Sequence, residues 1–326
     1  MMAGPFLAAV RSGWPKAHVT VMARPHVLEV VRRTASPDSL IADISRSPFG
    51  LARVMAAGGY DLAFTLTSSL KVAAAMALAR IPVRVGFRGG WRAPFLTRAV
   101  VPLPRSEHQA DNYLSLAGRA GVPRGGPIKW NGARKDREEV AQFLRKAGTA
   151  GRKPLVALAP GAAYGPAKRW PIPAWAALAD ILSLGDGMGT VLVGGEGERE
   201  QAGAITALSA VKPLDATGRL SLGGTAALLG RCAGFVSNDS GLMHVGVATG
   251  VPTVGIFGSS NPSWTGPRGL RCVAVARPVP CAPCYRRTCL PGRGYACLKG
   301  ITPEEVRSAL LRASRIRPGE SRSRGR

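Results

Sequence analysis

The amino-acid sequence predicts an α/β protein built from two doubly wound domains. Three observations predict it. Short β-branched runs alternate with helical patterns, the alternation occurs as two series split by a Gly/Arg/Lys stretch, and 326 residues suffice for two hydrophobic cores.

In the first series, Pro5–Ser12 reads as a helix, Ala17–Ala23 as a strand and Val27–Arg33 as a helix. Tyr60–Leu66 is a strand, Ser69–Arg80 an Ala-rich helix and Val83–Gly86 a strand. The polar stretch Lys129–Arg137 leads to a helix at Glu138–Lys146, and Thr149–Lys153 reads as the linker. The expected domains are therefore residues 1–150 and 151–326, the second ending in a basic tail. In the second series the strands are Leu155–Ala159, Thr190–Val193, Gly234–Ser237 and Thr253–Phe257. Helices fall at Pro173–Leu184, Thr225–Leu229 and Ser240–Thr249. Strands separated by helices favour parallel sheets with right-handed crossovers, in which ligands sit at the carboxyl ends of the strands.

Hydrophobic residues make up 46% and charged residues 19%, as in folded proteins, which excludes a chain disordered throughout. The best apolar stretches, Val72–Ala79 and Val245–Phe257, are short or broken by Gly, Pro and Thr, so no membrane-spanning helix is expected. Met1–Val10 lacks a positive n-region, and six Cys are too few for a disulfide scaffold, so a reducing cytoplasmic location is the default expectation. The net charge of +25 asks for an anionic partner. It is spread evenly, with 22 basic and 9 acidic residues in 1–150 and 22 and 10 in 151–326. Nucleic-acid binders cluster their charge, so an anionic small substrate or membrane surface is the better expectation.

Three post-strand loops could carry chemistry. Ser237-Asn238-Asp239-Ser240-Gly241-Leu242-Met243-His244 turns from a buried strand into a helix. Asp239 or Ser240 can cap that helix, and its first amides suit an anion. His244, one turn after Ser240, shares that face, though for this segment taken alone a satisfied His on an ordinary capped helix is the better reading. Pro160–Pro171 (PGAAYGPAKRWP) brings Ala163, Tyr164, Lys168 and Arg169 to a second such loop. Its glycines and cations suit a pyrophosphate, or form a solvated loop with Trp170 packed on the core. Gly194–Glu200 (GGEGERE) offers Glu196 for sugar or ribose hydroxyls, or simply for capping the next helix.

Together these segments resemble the ADP-heptose:lipopolysaccharide heptosyltransferases of glycosyltransferase family 9, most closely the heptosyltransferase II branch. The carrying motifs are PGAAYGPAKRWP, VLVGGEGE and SNDSGLMHVGVATGVPTVGIFGSSNPSWTGP, with RPH, YDLAFTL, RVGFRGG and HQADNYLSL in the first half. The resemblance runs from Met2 to about Arg307. It implies the GT-B fold of two facing Rossmann-like domains. The implied reaction is inverting transfer of heptose from ADP-heptose to the lipopolysaccharide inner core, at the inner face of the inner membrane, without a cofactor. Heptosyltransferase I or III activity, or a catalytically silent nucleotide-sugar-binding protein, is the alternative.

By the same resemblance Lys168 neutralises the donor phosphates as the leaving group departs, and Glu196 contacts the adenosine. Asp239 meets the heptose or its neighbours, and Ser240, Gly241 and His244 line the phosphate site beside Ala163 and Tyr164. The loop Gly258–Gly266 closes over the donor. The family's opening strand and the Asp general base that follows it correspond to a segment before Met1, so an unusual or late start of the first domain is expected. On that expectation Asp38 and Asp43 occupy a loop and supply no equivalent base.

For an anionic lipid-linked acceptor, Arg84, Arg88 and Arg92 are the expected contacts, in an acid-free stretch from Arg80 to Arg105 that also holds Phe87, Trp91 and Phe95. A solvated basic loop is the plainer reading. Cys281, Cys284, Cys289 and Cys297 have spacing that allows a tetrahedral zinc site, but only one C-x2-C knuckle is present, and packed thiols fit better.

Overall fold

A computed structural model describes residues 1–122, 126, 129–148 and 153–315. The chain divides into Met1–Ile128 and Lys129–Arg326. The division falls before the helix expected to close the first half, because that helix packs on the second unit. The expected linker Thr149–Lys153, apart from Lys153, and the basic tail from 316 lie outside the described residues.

The first unit runs α1 (Gly4–Gly13), β1 (Thr20–Ala23), α2 (Pro25–Thr34), β2 (Ser39–Ala42), α3 (Pro48–Ala56), β3 (Leu62–Thr65), α4 (Leu70–Leu78), β4 (Val83–Phe87), β5 (Arg98–Val100) and α5 (Gln109–Arg119). Four of these are absent from the sequence expectations: β5, α5, and the pair β2 and α3. The strand is only four residues long and nowhere fully buried, and the helix is a short one that Pro48 opens and Ser47 caps through the Gly50 amide. All strand pairs are parallel, but the pairing is divided into β1–β2 and β3–β4–β5. Phe6, Val85, Leu116 and their neighbours form one core; Leu51, Met55, Met76 and Ile81 form another.

Asp43 lies in a loop, as expected, but that loop directly follows β2, so an acid does stand at a post-strand position. Its Oδ2 is 3.5 Å from Lys71 Nζ, and its Oδ1 is buried with no hydrogen-bond partner. Asp38 precedes the strand and accepts from the Val19 amide at 2.7 Å and from Arg11 at 2.5 Å, which together hold its carboxyl below the usual range.

The second unit contains α6 (Arg134–Lys146), β6 (Leu155–Ala159), α7 (Ile172–Asp180), β7 (Gly189–Leu192), α8 (Arg199–Leu208), β8 (Leu214–Asp215), α9 (Leu222–Leu229), β9 (Gly234–Asn238), α10 (Gly241–Thr249), β10 (Thr253–Phe257), α11 (Pro262–Thr265), β11 (Cys272–Ala276), α12 (Ala296–Lys299) and α13 (Pro303–Arg315). Its six strands are parallel in the order β11-β10-β9-β6-β7-β8. Chain order reverses between β6 and β9, so the loops leaving those two strands diverge over a crevice at the carboxyl edge of the sheet. Val156, Leu158, Val236 and Ile256 form the buried centre of the sheet, covered by Trp170, Trp175 and Leu310. The two tryptophan rings meet edge to face at 5.2 Å, adding a directional contact to the burial.

Candidate functional site

The site is built on the switch point of the second unit. The loop after β6 is fastened to the end of β9 by one fully buried amide. Asn238 Nδ2 donates to Pro160 O at 2.6 Å, and its Oδ1 accepts from Trp170 N at 3.1 Å. A buried amide needs partners at both ends, and here both come from the same loop. Asn238 sits in a motif singled out by sequence, yet its clasping role depends on Pro160 and Trp170, some 70 residues away, and no local pattern signals it.

Inside that clasp Lys168 ends a short 3-10 turn, Pro166–Lys168, and its Nζ donates to Asp239 Oδ2 at 2.5 Å. Both side chains are largely buried, at 16% and 6% exposure. Ser260 Oγ donates to the same carboxylate oxygen. The expectation that Asp239 or Ser240 caps the next helix by its side chain is therefore corrected. Ser240 stands at the N-cap position of α10 without a side-chain cap, and Asp239 spends its carboxylate on Lys168 and Ser260. The first amides of α10, from Gly241 on, consequently have no side-chain acceptor at the cap and carry the positive end of the helix dipole. His244 lies half-buried one turn further on. Gly250, at φ +82°, ends the helix as expected.

Ala163 and Tyr164 are exposed on the loop. Tyr164 Oη donates to Tyr285 O at 2.6 Å, and Lys168 Nζ sits 5.0 Å from the centre of the Tyr164 ring. Beside this polar centre is a cavity of about 250 Å³. Gly161, Gly195, Ser240, Leu220, Leu222 and Leu242 line it, with Glu198. Glu198 is a residue that sequence reasoning passed over. Its Oε2 accepts from Gly195 N at 2.6 Å, and a Cβ on Gly161 would come within 1.8 Å of its Oε1. Glycine at 161 is thus what lets two post-strand loops close around one carboxylate. Glu196 is 82% exposed and follows Gly195 of the lining, 3.7 Å from Arg199. An apolar slot with a polar mouth beside a buried cation and a helix N-terminus can hold a base, a sugar and an anion in sequence.

The expected acceptor arginines separate. Arg84 donates to Phe95 O and Ile81 O, and Arg92 is buried with Nη2 directed at Arg88 O, so both brace the backbone of the first unit. Arg88 is exposed, next to Trp91 at 86% exposure. For Cys281, Cys284, Cys289 and Cys297 zinc is the lesser of the two readings, and among the described residues no group of three or more His, Cys, Asp or Glu is arranged to hold a metal. Cys297 packs against the main core and Cys289 Sγ accepts from Tyr295 N, which turns two of the four thiols to packing and backbone contacts. Cys232 is buried against the sheet, which pushes its thiol up to about 12.

Known proteins converge on the same assignment. Residues 49–293 match glycosyltransferase family 9 (heptosyltransferase). The chain is 30% identical over 287 residues to lipopolysaccharide heptosyltransferase 2 of Salmonella typhimurium, covering 82% of this chain and 81% of that one. Among solved structures it resembles the ADP-heptose heptosyltransferase II of E. coli, with a TM-score of 0.77 and 26% identity over 96% of this chain and 94% of the other. A family 9 glycosyltransferase from Veillonella parvula superposes with a TM-score of 0.84 at 27% identity, over 96% and 93% of the two chains. With a parallel-sheet fold shared along nearly the whole chain and a family match over most of it, this chain belongs to glycosyltransferase family 9, the heptosyltransferases.

Proposed function

We propose that this protein transfers heptose from ADP-heptose to the inner core of lipopolysaccharide, as the heptosyltransferase II relatives are named for doing. The carrying observation is the Lys168–Asp239 pair at the switch point, beside the 250 Å³ cavity. The adenine fills the leucine-lined slot, Glu196 takes the ribose hydroxyls at its mouth, and Ala163, Tyr164, Ser240, Gly241 and His244 surround the diphosphate. As the bond from the anomeric carbon to the diphosphate breaks, negative charge grows on the leaving oxygen. Lys168 and the α10 amides are fixed beforehand where that charge develops, so they stabilise the transition state more than the bound donor. Direct attack by an acceptor hydroxyl on the opposite face inverts the anomeric centre, with ADP as the leaving group and the hydroxyl proton passing to water.

In this reading the acceptor is anionic and lipid-linked and is met by the first unit, with Arg88 as its exposed cation and Arg84 and Arg92 supporting that loop. Trp91 and Arg88 are exposed and suit the boundary of an anionic bilayer, which supports action at the cytoplasmic face of the inner membrane. No helix among the described residues is long and apolar enough to cross a membrane.

The test is turnover of ADP-heptose against defined core acceptors carrying no heptose, one heptose or two. Transfer to the one-heptose acceptor is the expected result. Transfer only to the heptose-free or two-heptose acceptor would reassign the position, and ADP-heptose binding without transfer to any acceptor would leave a nucleotide-sugar-binding protein.

A further inference from the structure

The segment between β11 and α12 carries three of the four clustered thiols, Cys281, Cys284 and Cys289, and has no regular element, yet it is fastened to the donor loop at several points. Arg287 O accepts from Ala167 N at 3.0 Å, and Arg287 Nε donates to Tyr164 O at 2.8 Å. Tyr164 Oη reaches back to Tyr285 O, and Tyr285 N donates to Ser259 O at 2.7 Å. The approach is tight: a Cβ on Gly165 would lie 2.5 Å from Arg287 O, and Gly165 has φ +149°, so only glycine fits there. Arg287 is thereby held with its guanidinium carbon 5.7 Å from the centre of the Tyr164 ring, the ring that also carries Lys168.

The charge balance at this place is informative. Lys168 already has a carboxylate at 2.5 Å, so the pair is electrically neutral before any ligand arrives. A diphosphate brings two or more negative charges. Arg287 is exposed, its Nε alone is engaged, and it has no carboxylate partner among the described residues. A planar guanidinium whose two Nη groups are not otherwise engaged suits bidentate contact with phosphate oxygens, which an ammonium cannot make.

We propose that Arg287 is a second cation for the diphosphate of the nucleotide-sugar donor, carried to the site by the cysteine-bearing segment through Tyr164. The assignment rests on the donor reading given above. Arg287 supplies the charge that the Lys168–Asp239 pair lacks, and its contacts to Tyr164 and Ala167 position it before the donor binds.

The experiment measures ADP and adenosine binding by calorimetry for the full chain and for Arg287→Gln and Arg287→Lys. Gln keeps a donor for the Tyr164 carbonyl but removes the charge; Lys keeps the charge but not the fork. The expected result is that Arg287→Gln weakens ADP about tenfold or more and leaves adenosine within about twofold, with Arg287→Lys in between. Unchanged ADP affinity in Arg287→Gln would overturn the assignment while leaving the donor reading intact. An equal loss for ADP and adenosine would also overturn it, because the arginine would then act only on loop structure. Failure of the unaltered protein to bind ADP would overturn the donor reading and this assignment together.

Discussion

Lys168 and Asp239 are 71 residues apart in the chain and 2.5 Å apart in the fold, with the carboxylate also held by Ser260. Removing the lysine leaves a nearly buried carboxylate without its cation, and removing both members does not. Lys168→Ala is expected to lower both the melting temperature and kcat/KM for ADP-heptose, the latter by about 10²–10³-fold. Adding Asp239→Asn should restore part of the melting temperature and none of the activity. A double variant that melts below both single variants would contradict this coupling.

Gly165 is a point of close approach between the lysine turn and the segment bearing Arg287. Its φ of +149° and ψ of 175° belong to a region that side chains avoid. Gly165→Ala should destabilise the second unit by about 1–3 kcal/mol and weaken ADP binding at the same time. Thermal melting with and without ADP checks both effects, and an alanine variant with unchanged melting would show that the loop relaxes freely.

Glu196 and Glu198 are two residues apart and have different work. Glu196→Ala should weaken ADP by about tenfold, leave inorganic pyrophosphate unaffected and hardly change melting, since the side chain is exposed. Glu198→Ala should lower the melting temperature, because the Gly195 amide loses its acceptor. Equal ADP affinity in Glu196→Ala and the unaltered protein would remove Glu196 from the donor site.

Arg307 on α13 makes a two-point contact with Asp186, at 2.5 and 2.8 Å, tying the last helix to the turn after the α7 region. The bonds from Arg307 hold the Asp186 carboxyl below its ordinary range. A depressed carboxylate contributes stability above its unfolded pKa and loses it as pH falls through the folded one. Asp186→Asn should therefore melt about 2–4 °C lower at pH 7, with the gap closing once the pH drops below the ordinary carboxylate value near about 4. A gap that is constant with pH would assign the effect to packing.

Burial pushes Cys232 up to about 12 and Cys272 up to about 11. At pH 8 neither holds appreciable thiolate, and thiolate is the reactive form. Iodoacetamide followed by peptide mass spectrometry should label Cys281, Cys284 and Cys289 well before Cys232, which should react only after denaturation. Early labelling of Cys232 in the folded protein would contradict its burial.

Much of the second unit is legible in the sequence, because its strands are continuous apolar runs such as Leu155–Ala159 and Thr253–Phe257, bounded by glycine and proline. The first unit is less so. Its strands are three to five residues long and partly exposed, so β2 and α3 carry too little periodicity to stand out.

The amino-acid sequence alone determined the α/β class, the positions of the three post-strand loops, and the presence of Lys168, Asp239 and the glycines in them, since these depend on local pattern and residue type. Only the tertiary structure decided how those groups are spent. It joined Asp239 to Lys168 instead of to its own helix, gave Glu198 the space left by Gly161, brought Arg287 onto Tyr164, and turned Arg84 and Arg92 to backbone carbonyls. The physical reason is that a buried polar group takes whichever partner the fold brings within hydrogen-bond distance, and those partners lie up to 131 residues away along the chain, as Ile301 O does from Trp170 Nε1.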